Sequence, residues 1–285
     1  MSLPIRRGES DGAFTDPETI AGLVSAAEAA GFWGVTAPDH IVSPRAWAEA
    51  GGGEQWYDPF VLLSYLAGRT SSIRLILHVV VLPYRSPFAV AKAVASLDRI
   101  SGGRAVLGVG SGYLREEFEI LGVPFEDRGR RTDEALRVIT ECWTAERPAF
   151  AGEFFSIRDA AVAPRPLQSP RPPIWVGGNS MRAVRRAVEL GDCWVPFDVE
   201  PEDVARGAAH AEDLGRAVEI AAPLGRVQRD APARGRGVAG EDVLLRARAF
   251  VTAGASTVKA AFGGEDPEAW RANLEWFAAE IMPGV

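Results

Sequence analysis

Residues 172–186 read Pro-Pro-Ile-Trp-Val-Gly-Gly-Asn-Ser-Met-Arg-Ala-Val-Arg-Arg: an apolar run, two glycines and two small polar residues ahead of a helical stretch. Such a junction aims open backbone N–H groups and the positive end of a helix dipole at one spot, which suits a phosphate. A Cβ at Gly177 or Gly178 would hold the anion away from those amides. The same residues would also make an ordinary strand-to-helix turn capped by Asn179 or Ser180, and the segment alone favours neither reading.

Other chemistries find less support. Cys142 and Cys193 are the only cysteines, sit among apolar neighbours and form no CxxC, so they read as reduced core thiols. His40, His78 and His210 show no metal-ligand spacing such as HExxH, and no metal is expected. A net charge of −7 argues against nucleic acid or an anionic membrane surface as the partner. No apolar run approaches the roughly 20 residues of a membrane helix. Met1 to Gly8 lack the apolar core of a secretory signal, so the expected location is the cytoplasm.

The elements that must position the glycine-rich junction follow from a repeated pattern. Gly31-Phe-Trp-Gly-Val35, Gly191-Asp-Cys-Trp-Val195 and Gly254-Ala-Ser-Thr-Val258 each place a glycine to end a helix just before a short apolar strand. Extended to the whole chain, this pattern predicts eight strand–helix units. Their strands fall near 3–6, 32–37, 73–82, 104–109, 174–177, 193–197, 218–224 and 257–262. Their helices fall near 17–30, 59–69, 87–100, 130–144, 181–190, 201–216, 241–253 and 267–281. Thr15 and Asp16 compete to cap the first helix, and Trp270, Leu274, Phe277 and Ile281 make the buried stripe of the last.

Eight such units predict an α/β fold of the TIM-barrel, (β/α)8, kind in one domain, 1–285, with an insertion at 145–172 between units four and five. A doubly wound open sheet gives the same alternation, but no strand-then-GxGxxG opening supports it. A barrel's chemistry sits at the carboxyl ends of its strands. That rule collects Asp39-His40, Val79 to Tyr84, Gly110 to Tyr113 and Gly177 to Ser180.

These segments, in this order, resemble the luciferase-like monooxygenase superfamily, above all its branch using the deazaflavin coenzyme F420. The features are Ala37-Pro-Asp-His40, Val81-Leu-Pro-Tyr-Arg-Ser-Pro87, Leu97-Asp-Arg-Ile-Ser-Gly-Gly-Arg104 leading into Leu107-Gly-Val-Gly110, Arg128-Gly-Arg-Arg-Thr-Asp-Glu134, and Pro172-Pro-Ile-Trp-Val-Gly-Gly178. The resemblance implies a deazaflavin or flavin across the barrel mouth, with its phosphate at Gly177, Gly178, Asn179 and Ser180. It also implies contacts from Asp39, Val79, Val80, Ser111 and Gly112, and a non-proline cis peptide behind the ring, counted back from Pro83 to Val79–Val80.

On the same resemblance His40 is the candidate proton acceptor, and imidazole suits that task because it titrates near neutral pH. Merely bonding cofactor or backbone is its other reading. Asp39 is expected to orient the loop. Two departures stand out: Pro44 and Tyr113 occupy places where the sugar-phosphate dehydrogenases of this branch carry tryptophan and glutamate. Tyr113 thereby becomes a candidate proton donor or a pocket wall, and glucose 6-phosphate is disfavoured as substrate.

The loop Ile41–Tyr57, with Trp47 and Trp56, is expected to be a lid or a disordered loop, and the arginines of Gly225–Gly240 an anion clamp or a solvated loop. His78 is expected to be a satisfied core histidine, Arg128 and Arg131 to be structural, and the first strand to be short for the family. The resulting expectation is an F420-dependent oxidoreductase passing a hydride between the deazaflavin C5 and a small organic substrate, in a homodimer. The alternatives are a two-component monooxygenase fed reduced FMN by a partner reductase, and a non-catalytic flavin-binding barrel.

Overall fold

Parallel strands require a crossover to bring the chain back, and nearly every strand here is followed by one. The computed structural model describes residues 1–4, 14–53, 56–230 and 238–285. In chain order the strands are β1 (Gly34–Ala37), β2 (Arg74–Val81), β3 (Ala105–Gly110), β4 (Phe150–Ala151), β5 (Ser156–Ile157), β6 (Ile174–Gly177), β7 (Cys193–Val195), β8 (Glu219–Gln228), β9 (Val238–Ala239) and β10 (Thr257–Phe262). The α-helices are α1 (Pro17–Ala29), α2 (Arg45–Trp47), α3 (Pro59–Ala67), α4 (Pro87–Ile100), α5 (Arg115–Leu121), α6 (Arg128–Thr144), α7 (Met181–Leu190), α8 (Pro201–Asp213), α9 (Asp242–Thr252) and α10 (Pro267–Trp276).

Strands β1-β2-β3-β6-β7-β8-β10 pair in that order, all parallel. The ring closes through Ser2, which bridges Thr36 of β1 and Ala261 of β10. Ser2 N–H donates to Ala260 O at 2.9 Å and Leu3 N–H to Thr36 O at 3.1 Å. The architecture is the (β/α)8 barrel. Its closing segment is Met1–Leu3 where Leu3–Arg6 is expected, and residues 5–13 lie outside the described part of the chain. Beside this seam lies a cavity of about 470 Å³ bounded by Phe32, Trp33, Trp175, Lys259, Phe277 and Met282.

Local signals explain the helix starts. Proline occupies the first helical position of α1, α3, α4, α8 and α10, where its missing N–H costs nothing. Asp16, not Thr15, caps α1 by accepting from Thr19 N–H. Residues 145–172 form the β4–β5 hairpin and irregular chain, pinned by Glu134, whose carboxylate accepts the N–H groups of Glu153, Phe154 and Phe155.

Side chains alternate along the strands as the pleat requires. Leu75, Leu77, Leu107, Val109, Ile174 and Val176 join the large core under the helices. Ile76, Val106, Trp175, Cys193, Val195 and Ala221 form a second, smaller cluster within the ring. The stripe Trp270, Leu274, Phe277 and Ile281 is buried as expected.

The β2–β3 register breaks between Leu77 and Val80, and the cis peptide is His78–Val79. The expected bond, Val79–Val80, is therefore one residue too far along. Val80 resumes pairing opposite Val109, so residues 78 and 79 are the ones displaced from the ladder. Three glycines make room: an added Cβ would lie 2.3 Å from Leu77 O at Gly108, 2.9 Å from Val79 Cγ2 at Gly110, and 2.8 Å from Val79 Cγ1 at Gly177.

One surface carboxylate gives a stability test. Glu28 of α1 accepts N–H bonds from Ser71, Ser72 and Ile73 at 2.9, 2.6 and 2.8 Å, fastening α1 to the start of β2. Burial alone would raise its pKa, but these bonds prevail and lower it from 4.5 to about 2. The contribution is complete above pH 4.5 and fades as pH falls toward 2. Glu28→Gln should therefore be less stable than the parent in urea near neutral pH, with the difference closing across that acid window. A difference that does not change with pH would contradict the assignment.

Candidate active site

The carboxyl ends of the strands lie together at one end of the barrel, where the loops can present side chains without disturbing the sheet. After β1 come Asp39 and His40. Asp39 is 3% exposed, and Arg85 grips both its oxygens, Nε to Oδ2 at 3.1 Å and Nη2 to Oδ1 at 2.7 Å. Arg85 also reaches Asp58, the cap of α3, at 2.9 Å. Burial pushes the Asp39 carboxyl upward against the pull of that guanidinium. Asp39 thus ties the ends of β1, β2 and α3 together through Arg85.

His40 has a different partner. Its Nδ1 lies 3.2 Å from Oε2 of Glu117, whose side chain is 1% exposed. The other oxygen, Oε1, accepts the N–H groups of Ile41 at 3.0 Å and Val42 at 3.3 Å. Burial first, and then the charge of Glu117 and a hydrogen bond to it, push the Tyr84 phenol above its ordinary range. It therefore stays a donor to the same carboxylate. Trp47 and Trp56 lie against the imidazole, with ring centroids 4.7 and 4.9 Å away. The loop after β1 thus packs its two tryptophans onto His40, with Trp47 in α2.

Glu117 is absent from the sequence expectations because α5 is absent from them. Its signal was present: Arg115-Glu-Glu-Phe-Glu-Ile-Leu121 is rich in good helix formers with Glu116 and Glu117 in the first turn, and Gly122 ends it at φ +67°.

On another part of the rim, β6 delivers the glycine-rich junction. Gly178 takes φ +130°, its N–H donates to Val195 O at 3.3 Å, and its carbonyl accepts Trp194 Nε1–H at 2.7 Å. Ser180 is the cap of α7, accepting from Ala183 N–H. Asn179 instead clamps the loop after β7, donating to Phe197 O at 2.6 Å and accepting from Phe197 N–H at 2.8 Å. The N–H groups of Met181 and Arg182, at the first positions of α7, have no acceptor within the helix. The junction therefore combines open donors, a helix N-terminus and a glycine-lined approach held rigid from both sides, which fits a phosphate group.

Between these two parts, Val79 packs against Gly110 and Gly177 and keeps part of its surface open. Val80, expected in the same wall, is instead wholly buried in the core under the helices, because the next residue of a strand faces the other way. Ser111 Oγ lies 3.5 Å from Arg186 Nη1, and Gly112, at φ +80°, accepts from Arg128 Nε at 3.2 Å. A Cβ at Gly112 would come within 2.6 Å of Phe118. Tyr113 is 71% exposed, with Trp47 and Glu117 as its polar neighbours. Arg128 and Arg131 serve structural bonds, the latter to Asp127.

Two sequence candidates lie elsewhere. His78 Nε2 is 3.3 Å from Lys259 Nζ within the barrel, and burial lowers Lys259 to about 8 and drives His78 well below its usual value. The basic loop starts later than expected because β8 runs on to Gln228. Arg226 is on that strand, Arg229 faces Asp230 at 3.7 Å, and Arg234 and Arg236 lie outside the described residues.

Comparison with known proteins agrees with this fold. A family model described as luciferase-like monooxygenase matches residues 1–280. An uncharacterized protein of Mycobacterium tuberculosis is 35% identical over 213 residues, covering 71% of this chain and 73% of that one. The FMNH2-dependent dimethylsulfone monooxygenase of Pseudomonas putida is 28% identical over 86% of this chain and 68% of its own length. The F420-dependent glucose-6-phosphate dehydrogenase of Kineococcus radiotolerans is 32% identical over 63% and 52%. Among solved structures, the monooxygenase RslO1 from Streptomyces bottropensis superposes with a TM-score of 0.84 at 20% identity, covering 99% of this chain and 98% of that one.

Proposed function

The chain belongs to the luciferase-like monooxygenase family, and from that premise we propose that it is an F420-dependent oxidoreductase acting on a small hydroxylated or carbonyl substrate. The observation that carries this reading is the His40–Glu117 pair set among Trp47 and Trp56 at the same end of the barrel as the phosphate cradle. Removing a hydride from a carbinol carbon requires the hydroxyl proton to leave as well, and an imidazole backed by a carboxylate accepts it. His40 takes that proton through Nε2 in one direction of the reaction and returns it in the other.

When bound, the deazaflavin supplies the hydride-accepting carbon, and the protein supplies position. The N–H groups of Met181 and Arg182 with the Gly177–Ser180 turn would hold its phosphate, and Val79, Ser111 and Gly112 would contact its ring system. Trp47 and Trp56 exclude water and favour an apolar substrate body. Tyr113, at the rim, offers either a proton-donating hydroxyl or a wall.

The Pseudomonas relative, which overlaps the larger share of this chain, favours a second reading: an FMN-dependent monooxygenase supplied with reduced flavin by a separate reductase. The cradle serves either cofactor. Titrating purified protein with F420 and with FMN, each followed by fluorescence quenching, separates them. Tighter binding of F420 is expected; saturable FMN binding without F420 binding would replace the first reading with the second.

A further inference from the structure

We propose that Glu117 is a positioning residue that locks His40 in the Nδ1–H tautomer, so that Nε2 presents a lone pair to the substrate; this rests on the proton-accepting part given to His40 above. An ionised carboxylate has acceptors only, so a ring nitrogen 3.2 Å away can be its partner only as a donor. A neutral imidazole carries one N–H, which leaves the other nitrogen bare.

The rest of the arrangement prevents the pair from rearranging. The Oε1 atom of Glu117 is held by the N–H groups of Ile41 and Val42, the residues directly after His40. The carboxylate therefore grips the ring and the backbone of the same loop. Trp47 and Trp56 pack against the ring and confine its orientation.

The same bonds distinguish this from a role confined to anchoring the loop. In Glu117→Gln the two main-chain donors select the amide oxygen, because an NH2 group facing two N–H groups would leave all three unpaired. The amide nitrogen must then point at Nδ1 of His40, which has to become the acceptor. The substitution keeps the shape and the loop anchor but inverts the tautomer, moving the proton to Nε2.

Long-range 1H–15N NMR of the protein without cofactor or substrate reads the tautomer directly. With only three histidines in the chain, the variants His78→Gln and His210→Gln assign the signals. The expected result is Nδ1–H in the parent and Nε2–H in Glu117→Gln. In turnover, kcat of Glu117→Gln should drop by about 10²-fold or more while KM changes little. An Nε2–H tautomer in the parent overturns the proposal even if the variant does not fold, and so does an unchanged tautomer in a folded variant. The expected tautomers in a protein that fails to bind F420 would uphold Glu117's part and remove only the proposed cofactor.

Discussion

Replacing His40 with asparagine should leave F420 binding within a few fold of the parent while lowering kcat/KM by about 10²- to 10⁴-fold, the range lost with a general base. Asparagine is close in size, its amide can still donate to Glu117, and the anchors of the loop through Ile41 and Val42 are untouched. The proposed phosphate cradle lies on β6 and α7, whereas the hydrogen-bond partner of His40 is Glu117 on α5. Steady-state rates beside a cofactor titration separate the two effects. Undiminished turnover would take His40 out of proton handling and shift attention to Tyr113 at the rim.

Ser180→Asp should weaken both F420 and FMN by about 100-fold without unfolding the protein. Aspartate caps helices as well as serine does, so α7 keeps its start. The new carboxylate, however, brings a negative charge to the place where the cofactor's phosphate is proposed to bind. Two unit charges about 4 Å apart repel by about 4 kcal/mol at an effective dielectric constant of 20, and salt screening at this exposed position reduces that. The remainder, about 2.7 kcal/mol, corresponds to the stated factor. Thermal unfolding checks the fold and titration checks the affinity. Cofactor binding as tight as the parent's would place the phosphate away from α7.

The sequence made much of the framework readable because the fold relies on strong local signals. Prolines at helix starts and glycines at helix ends set the alternation, and α4 and α7 fall on the bounds expected of them. The glycine-rich junction was visible for the same reason: few arrangements ask for Gly-Gly followed by a polar cap. What stayed hidden depends on distant partners. Glu117 lies 77 positions from His40, and nothing in the spacing of either joins them. Helix α5 has only seven residues, so its helix signal is easily passed over between those of β3 and α6. The displaced His78–Val79 unit is encoded less by its own valines than by Gly108 and Gly110 on β3 and Gly177 on β6, and only the folded barrel brings them to it.

That shared floor bears on how such a pocket can evolve. Val79 occupies hollows that exist only because two other strands carry no side chain there, so those positions cannot drift one at a time. A single added methyl at Gly177 would lie 2.8 Å from Val79 Cγ1 and 3.3 Å from the Val109 carbonyl, so one of them must shift. New substrate preferences must therefore be acquired from the rim, where the tryptophan-bearing loop can change its length and composition while the base of the barrel stays the same.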